Sequence, residues 1–86
     1  MDKKGIYKRL KNGKGIETTY RFNNDLEYDI RIDPKGAKYQ LHTFHFEGND
    51  VFKDENYKDE KIRLFEDFEL LIKTIQMEFP GIEINI

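Results

Sequence analysis

Ile16-Glu17-Thr18-Thr19-Tyr20-Arg21-Phe22-Asn23-Asn24-Asp25-Leu26-Glu27-Tyr28-Asp29-Ile30-Arg31-Ile32 is the stretch that decides the fold. Both halves alternate with period two, the pattern of half-buried strands. Ile16, Thr18, Tyr20 and Phe22 share one side, with Glu17, Thr19 and Arg21 opposite. Leu26, Tyr28, Ile30 and Ile32 do the same against Glu27, Asp29 and Arg31. Between them, Asn23-Asn24-Asp25 tolerate left-handed backbone and predict a three-residue turn. That turn sets Phe22 opposite Leu26, Tyr20 opposite Tyr28, Thr18 opposite Ile30 and Ile16 opposite Ile32. On the other face it brings Arg21 to Glu27 and Glu17 to Arg31. The charges therefore support the register that the apolar residues choose.

Downstream, Asp33-Pro34-Lys35-Gly36 carries type I turn residues. Closing it with Asp33 opposite Lys38 puts Tyr39 and Leu41 on the core face and Asp29 opposite His42. Upstream, Ile6, Lys8 and Leu10 share a side and read as a first strand, joined by a loop over residues 11–15. Pairing Leu10 with Ile16 then completes a row of Arg9, Glu17 and Arg31. Asn12-Gly13 as a tight hairpin turn competes, but it would set Ile16 opposite Arg9. After a polar loop over residues 47–56, Ile62, Phe65, Phe68, Ile72, Ile75 and Phe79 recur at helical spacing, widened by Leu64 and Leu71. Asp54 or Asn56 is the expected cap, Asp59 with Arg63 and Glu69 with Lys73 are i,i+4 pairs, and Pro80-Gly81 stops the helix. Ile82, Ile84 and Ile86 alternate as a terminal strand. The expected fold is α+β over a single domain, residues 1–86: a four- to five-stranded antiparallel sheet, ββββαβ, in order 5-1-2-3-4. One long C-terminal helix covers its apolar face.

The 86 residues allow one modest core, and the absence of Cys, Trp and Ser removes disulfides, thiolate metal sites and Cys or Ser nucleophiles. No apolar run approaches the roughly 20 residues of a membrane span and no signal peptide opens the chain, so a soluble cytoplasmic protein is expected. Fifteen Lys+Arg against seventeen Asp+Glu give a net charge of −2, unevenly spread. Residues 1–15 carry +5, residues 16–46 carry −1 and residues 47–86 carry −6. Such a gradient is an ordinary solvated surface or the footprint of a partner.

With Tyr39 and Leu41 inward, Phe44 and Phe46 face away from the core beside His42, on what the expected order makes an edge strand. Either a β-bulge near Thr43 turns both rings inward, or they form an exposed aromatic patch for a partner or a homodimer. His42 and His45, three apart, point to opposite faces of a regular strand and share no metal. Asp50, Asp54, Asn56, Asp59 and Glu60 lack the alternation and central Gly of a calcium loop. Lys11, Lys14, Lys35 and Lys38 gather in loops at one end of the sheet, where they could hold phosphates. No nucleophile set and no cofactor fingerprint is present, and neither a metal nor a cofactor is expected. The reading is a non-catalytic protein-interaction module of the phage or bacterial accessory type. It would modulate or inhibit a partner protein through Phe44, Phe46, His42 and Tyr7, with acidic mimicry of nucleic acid as one version. The rival is nucleic-acid binding through the four lysines.

Overall fold

The computed structural model describes residues 2–23, 26–46 and 57–84. The deciding stretch forms the expected hairpin. Strand β1 (Ile16–Arg21) pairs antiparallel with β2 (Glu27–Lys35), with Ile16 opposite Ile32, Thr18 opposite Ile30 and Tyr20 opposite Tyr28. The cross-strand charges close as ion pairs, Arg21 to Glu27 at 2.8 Å and Arg31 to Glu17 at 2.9 Å.

The next turn is tighter than the sequence suggests. β2 continues through Pro34 to Lys35, which stands opposite Lys38, the first residue of β3 (Lys38–Phe46). Asp33 therefore meets Gln40 rather than Lys38, and His42 meets Arg31 rather than Asp29. The slip is two residues, so every side chain keeps its face, and Tyr39 and Leu41 are buried as expected. Pro34 is tolerated because β1 begins opposite Ile32, leaving β2 with a neighbour on one side only at that point.

Two segments expected in other forms change type. Residues 3–11 are not a strand but a helix, α1 (Lys3–Lys11). Ile6 and Leu10 sit at i and i+4 and are both buried, whereas a strand would have put Lys8 on their apolar side. The Asp2 carboxylate accepts the Gly5 N–H at 3.0 Å as N-cap. At the other end the Gly13 N–H reaches the Leu10 carbonyl and the Lys14 N–H the Arg9 carbonyl, a Schellman closure. It needs the left-handed φ of +78° that Gly13 supplies. Residues 57–65 are likewise a strand, β4 (Tyr57–Phe65), and not the first half of the helix. The helix α2 (Phe68–Glu78) starts only after Asp67, whose carboxylate accepts the Glu69 N–H at 3.0 Å. It ends at Phe79, ahead of Pro80 and a left-handed Gly81.

The sheet order is β1-β2-β3-β4, all antiparallel, so β3 is interior and not an edge. Its pairing with β2 is unbroken; the irregularity lies on β4. Thr43 faces Lys61 and His45 faces Lys58, two steps on β3 against three on β4. Asp59, at φ 51°, sits in this bulge, and the Tyr28 hydroxyl donates to it at 2.6 Å. The terminal strand is not seen among the described residues: Ile82 and Ile84 lie outside regular structure yet are buried. Asn24, Asp25, the stretch from 47 to 56 with the expected caps Asp54 and Asn56, and Ile86 fall outside the described residues. So does the Phe46 side chain.

One core joins the layers. Ile6 and Leu10 of α1, Ile16, Ile30, Ile32, Tyr39 and Leu41 of the sheet, and Leu71, Ile72 and Ile75 of α2 meet Phe79, Ile82 and Ile84. The Tyr20 hydroxyl donates to the Pro80 carbonyl and ties this last segment to β1. α1 lies over β1 and β2, and α2 over β3 and β4. No described helix is long and apolar enough to cross a membrane.

Candidate functional site

Phe44, one of the two rings of the expected aromatic patch, offers no surface. On a regular β3, Phe44 points away from the main core, and it is nevertheless fully buried. Its ring lies 5.1 Å from that of His42, and the Arg31 guanidinium stands 5.1 Å from its centroid. For Phe44 neither expected alternative holds: the bulge beside Thr43 lies on β4 and does not turn Phe44 toward the main core, and no solvent reaches the ring. His42 Nε2 is 2.8 Å from the Glu60 carboxylate, and His45 stacks on Tyr28 from the opposite face of the strand. Asp29, opposite Phe44, has its pKa raised by burial, and its Oδ1 finds no hydrogen-bond partner among the described residues. Tyr7 is in the helical layer, edge-on to Phe68 at 5.1 Å, so the structure does not bring it to His42 and Phe44.

The four lysines converge on one end, and two of them are engaged there, Lys38 by a carboxylate and Lys11 by aromatic rings. Lys35 and Lys38 face each other across the β2–β3 turn, and Lys38 Nζ is 3.7 Å from Glu66. Lys11 Nζ lies 5.2 Å from the Tyr7 ring and 6.0 Å from that of Tyr39. Those two phenols, Tyr39 first, hold its pKa above the ordinary lysine value. Lys14 is exposed in the capping loop of α1, whose Gly15 lies against the Asp33 carboxylate.

The surface that sequence reasoning missed is the outer edge of β4. Ile62 and Leu64 stand opposite His42 and Gln40 on the open face of the sheet, 58% and 56% exposed. Among the described residues β4 pairs with β3 alone, which makes residues 61–65 an edge of the described sheet. The strand is held firmly from beneath. The Arg63 guanidinium grips the Glu78 carboxylate of α2 through two hydrogen bonds, Nη2 to Oε1 at 2.9 Å and a second from Nη1 to Oε2. This bidentate contact holds Glu78 below the usual glutamate range and Arg63 above its own. At the bulge, burial and then the Asp59 carboxylate push the Tyr28 hydroxyl up to about 12, and the same hydrogen bond draws Asp59 down. The alternation of Ile62, Leu64 against Lys61, Arg63 and Phe65 was a usable signal, hidden because the same residues also fit a helical stripe. No protein-family model, no curated protein and no solved structure matches the chain.

Proposed function

We propose that the chain is a small non-catalytic protein-interaction module that modulates another protein by adding a strand of that partner to β4. The observation that carries this is the pair Ile62 and Leu64, each more than half exposed on a nine-residue edge strand. Main-chain hydrogen bonds along such an edge supply affinity, and the side chains at alternating positions supply selectivity. The bulge at Asp59 interrupts the ladder, so the regular run open to a partner is residues 61–65. A fitting strand is extended, with two apolar residues two apart to lie beside Ile62 and Leu64. Its other face carries an acid toward Lys61, which is exposed on the helix side of the sheet. A non-catalytic role is supported by the lack of Cys and Ser and by the engagement of both histidines, with Glu60 and with Tyr28.

The test is a tagged pull-down from nuclease-treated lysate, run with the wild type and with Ile62→Lys/Leu64→Lys. Lysine is tolerated on edge strands, and exposed substitutions of this kind shift stability by no more than about 0.5 kcal/mol. The wild type is expected to retain a protein that the double variant loses while keeping its thermal midpoint. Equal retention by both proteins would remove β4 as the contact.

A further inference from the structure

The strongest unexplained feature lies in the other half of the molecule, on the outward side of α1. Only Ile6 and Leu10 of this helix are buried. Its exposed positions are Lys3, Lys4, Tyr7, Lys8, Arg9 and Lys11, followed by Lys14 in the capping loop. The one acid on the segment, Asp2, is used as the N-cap. Lys8, Arg9 and Lys11 suit the negative end of the helix dipole, but Lys3 and Lys4 oppose the positive end, and the first turn contains no acid. Lys4 and Lys8, one turn apart, repel each other. Lys3 finds Glu69 at 3.8 Å, whereas no described carboxylate pairs with Lys4, Lys8, Arg9 or Lys14. The arrangement weakens the helix, and Lys4, Lys8, Arg9 and Lys14 gain no described ion pair in return, as expected of a surface shaped by a ligand.

Two concavities flank this strip. Gly5, Lys8, Arg9, Asn12 and Lys14 line an open groove of about 230 Å³. Three cations and one amide converge there around a position with no side chain, and Arg9 is steadied by its Nε–H donating to the Gly15 carbonyl at 3.2 Å. On the other flank, Lys3, Lys4, Tyr7, Phe68 and Glu69 border a cleft of about 440 Å³ whose walls are mostly apolar, with the Glu69 carboxylate facing Lys3. Cations spaced along a groove beside an aromatic face are the elements that hold an unpaired nucleotide strand. We propose that α1 binds single-stranded nucleic acid, with phosphates on Lys4, Lys8, Arg9 and Lys14 and one base against Tyr7 in the cleft toward Phe68. An anionic membrane fits less well, because the apolar anchors Ile6 and Leu10 face the core and leave no apolar helix face to enter lipid. Residues 1–15 carry +5 and residues 16–86 carry −7, so the chain's excess positive charge is concentrated in this segment. The phosphate-holding residues belong to α1 and its capping loop, α1 packs on β1 and β2, and the site shares no residue with the 61–65 edge, so it stands independently of the protein-binding proposal.

Fluorescence anisotropy of a dye-labelled oligothymidylate tests this, with a labelled duplex of equal length and phosphatidylserine vesicles as competing probes. The wild type is expected to bind the oligothymidylate more tightly than the duplex. Its log affinity should fall with log salt at a slope of about −2 to −3, as for roughly three or four single-strand phosphates. Lys8→Gln/Arg9→Gln/Lys14→Gln keeps helix-forming side chains and should lose at least about tenfold in affinity with a flatter slope. Tyr7→Leu should lose roughly fivefold or more at unchanged slope, the signature of a lost stacking contact. Circular dichroism on both variants confirms that the helix persists. Vesicle binding without oligonucleotide binding, tighter duplex binding, or a triple variant that binds as the wild type does would each overturn the proposal.

Discussion

The two edges of the sheet are built on different plans. β1 is six residues long, and the charged residues on its open face are engaged across the hairpin, Glu17 with Arg31 and Arg21 with Glu27. β4 is nine residues long and presents Ile62 and Leu64 to solvent at the corresponding level of the sheet. Short length and charge are the usual means of keeping an edge from pairing with other chains. The chain applies both to β1, whereas the regular part of β4 keeps its charges, Lys61 and Arg63, on the helix side, leaves its open face apolar and is braced from below by Arg63 and Glu78. An edge that is both apolar and rigid loses little freedom when a partner strand is added.

Removing the brace sharpens this contrast most. Arg63→Ala leaves the Glu78 carboxylate half-buried without its guanidinium and is expected to destabilise the protein by about 1–3 kcal/mol at neutral pH. Because Arg63 depresses the pKa of Glu78, the stability it contributes is present above the ordinary glutamate pKa. It is lost as pH falls through the depressed value. The gap between variant and wild type in urea midpoints should therefore close in acid, and a gap that persists there would mean that Arg63 acts through its apolar stem. Tyr28→Phe is the smaller perturbation, expected at about 1 kcal/mol, since it removes the hydrogen bond that holds Asp59 in the bulge. Tyr28 titrates at about 12 in the folded chain, against about 10 unfolded. Its contribution is therefore complete below pH about 10 and falls away as pH rises toward about 12. Ultraviolet titration of the phenolate should show one tyrosine with this late midpoint, absent from the variant.

The same contrast shows what was legible in the sequence. The first hairpin could be read to the residue because two independent signals, apolar alternation and cross-strand charge, demand one register. Residues 3–11 misled because Ile6 and Leu10 satisfy period two and period four alike. The discriminating residue is Lys8, which only a helix places in solvent. Residues 57–65 misled for a similar reason: Ile62, Phe65 and Phe68 run without a break into the true helix, and the start signal was Asp67, a capping residue directly before the apolar run. The candidate site inherited both errors. Ile62 and Leu64 vanished into an imagined buried stripe, while the cations of α1 were divided between a strand and a loop. Phe44 was beyond reach on other grounds, since burial on the charged face of a sheet depends on tertiary neighbours and not on its own strand's pattern.

The claim that β4 is the edge used for binding is tested most directly by amide hydrogen exchange on the captured complex, compared with the free chain. Strand addition should slow alternate amides of residues 61–65 by at least about tenfold and leave those of residues 17–20 unchanged. Protection on β1, or on neither edge, would contradict it.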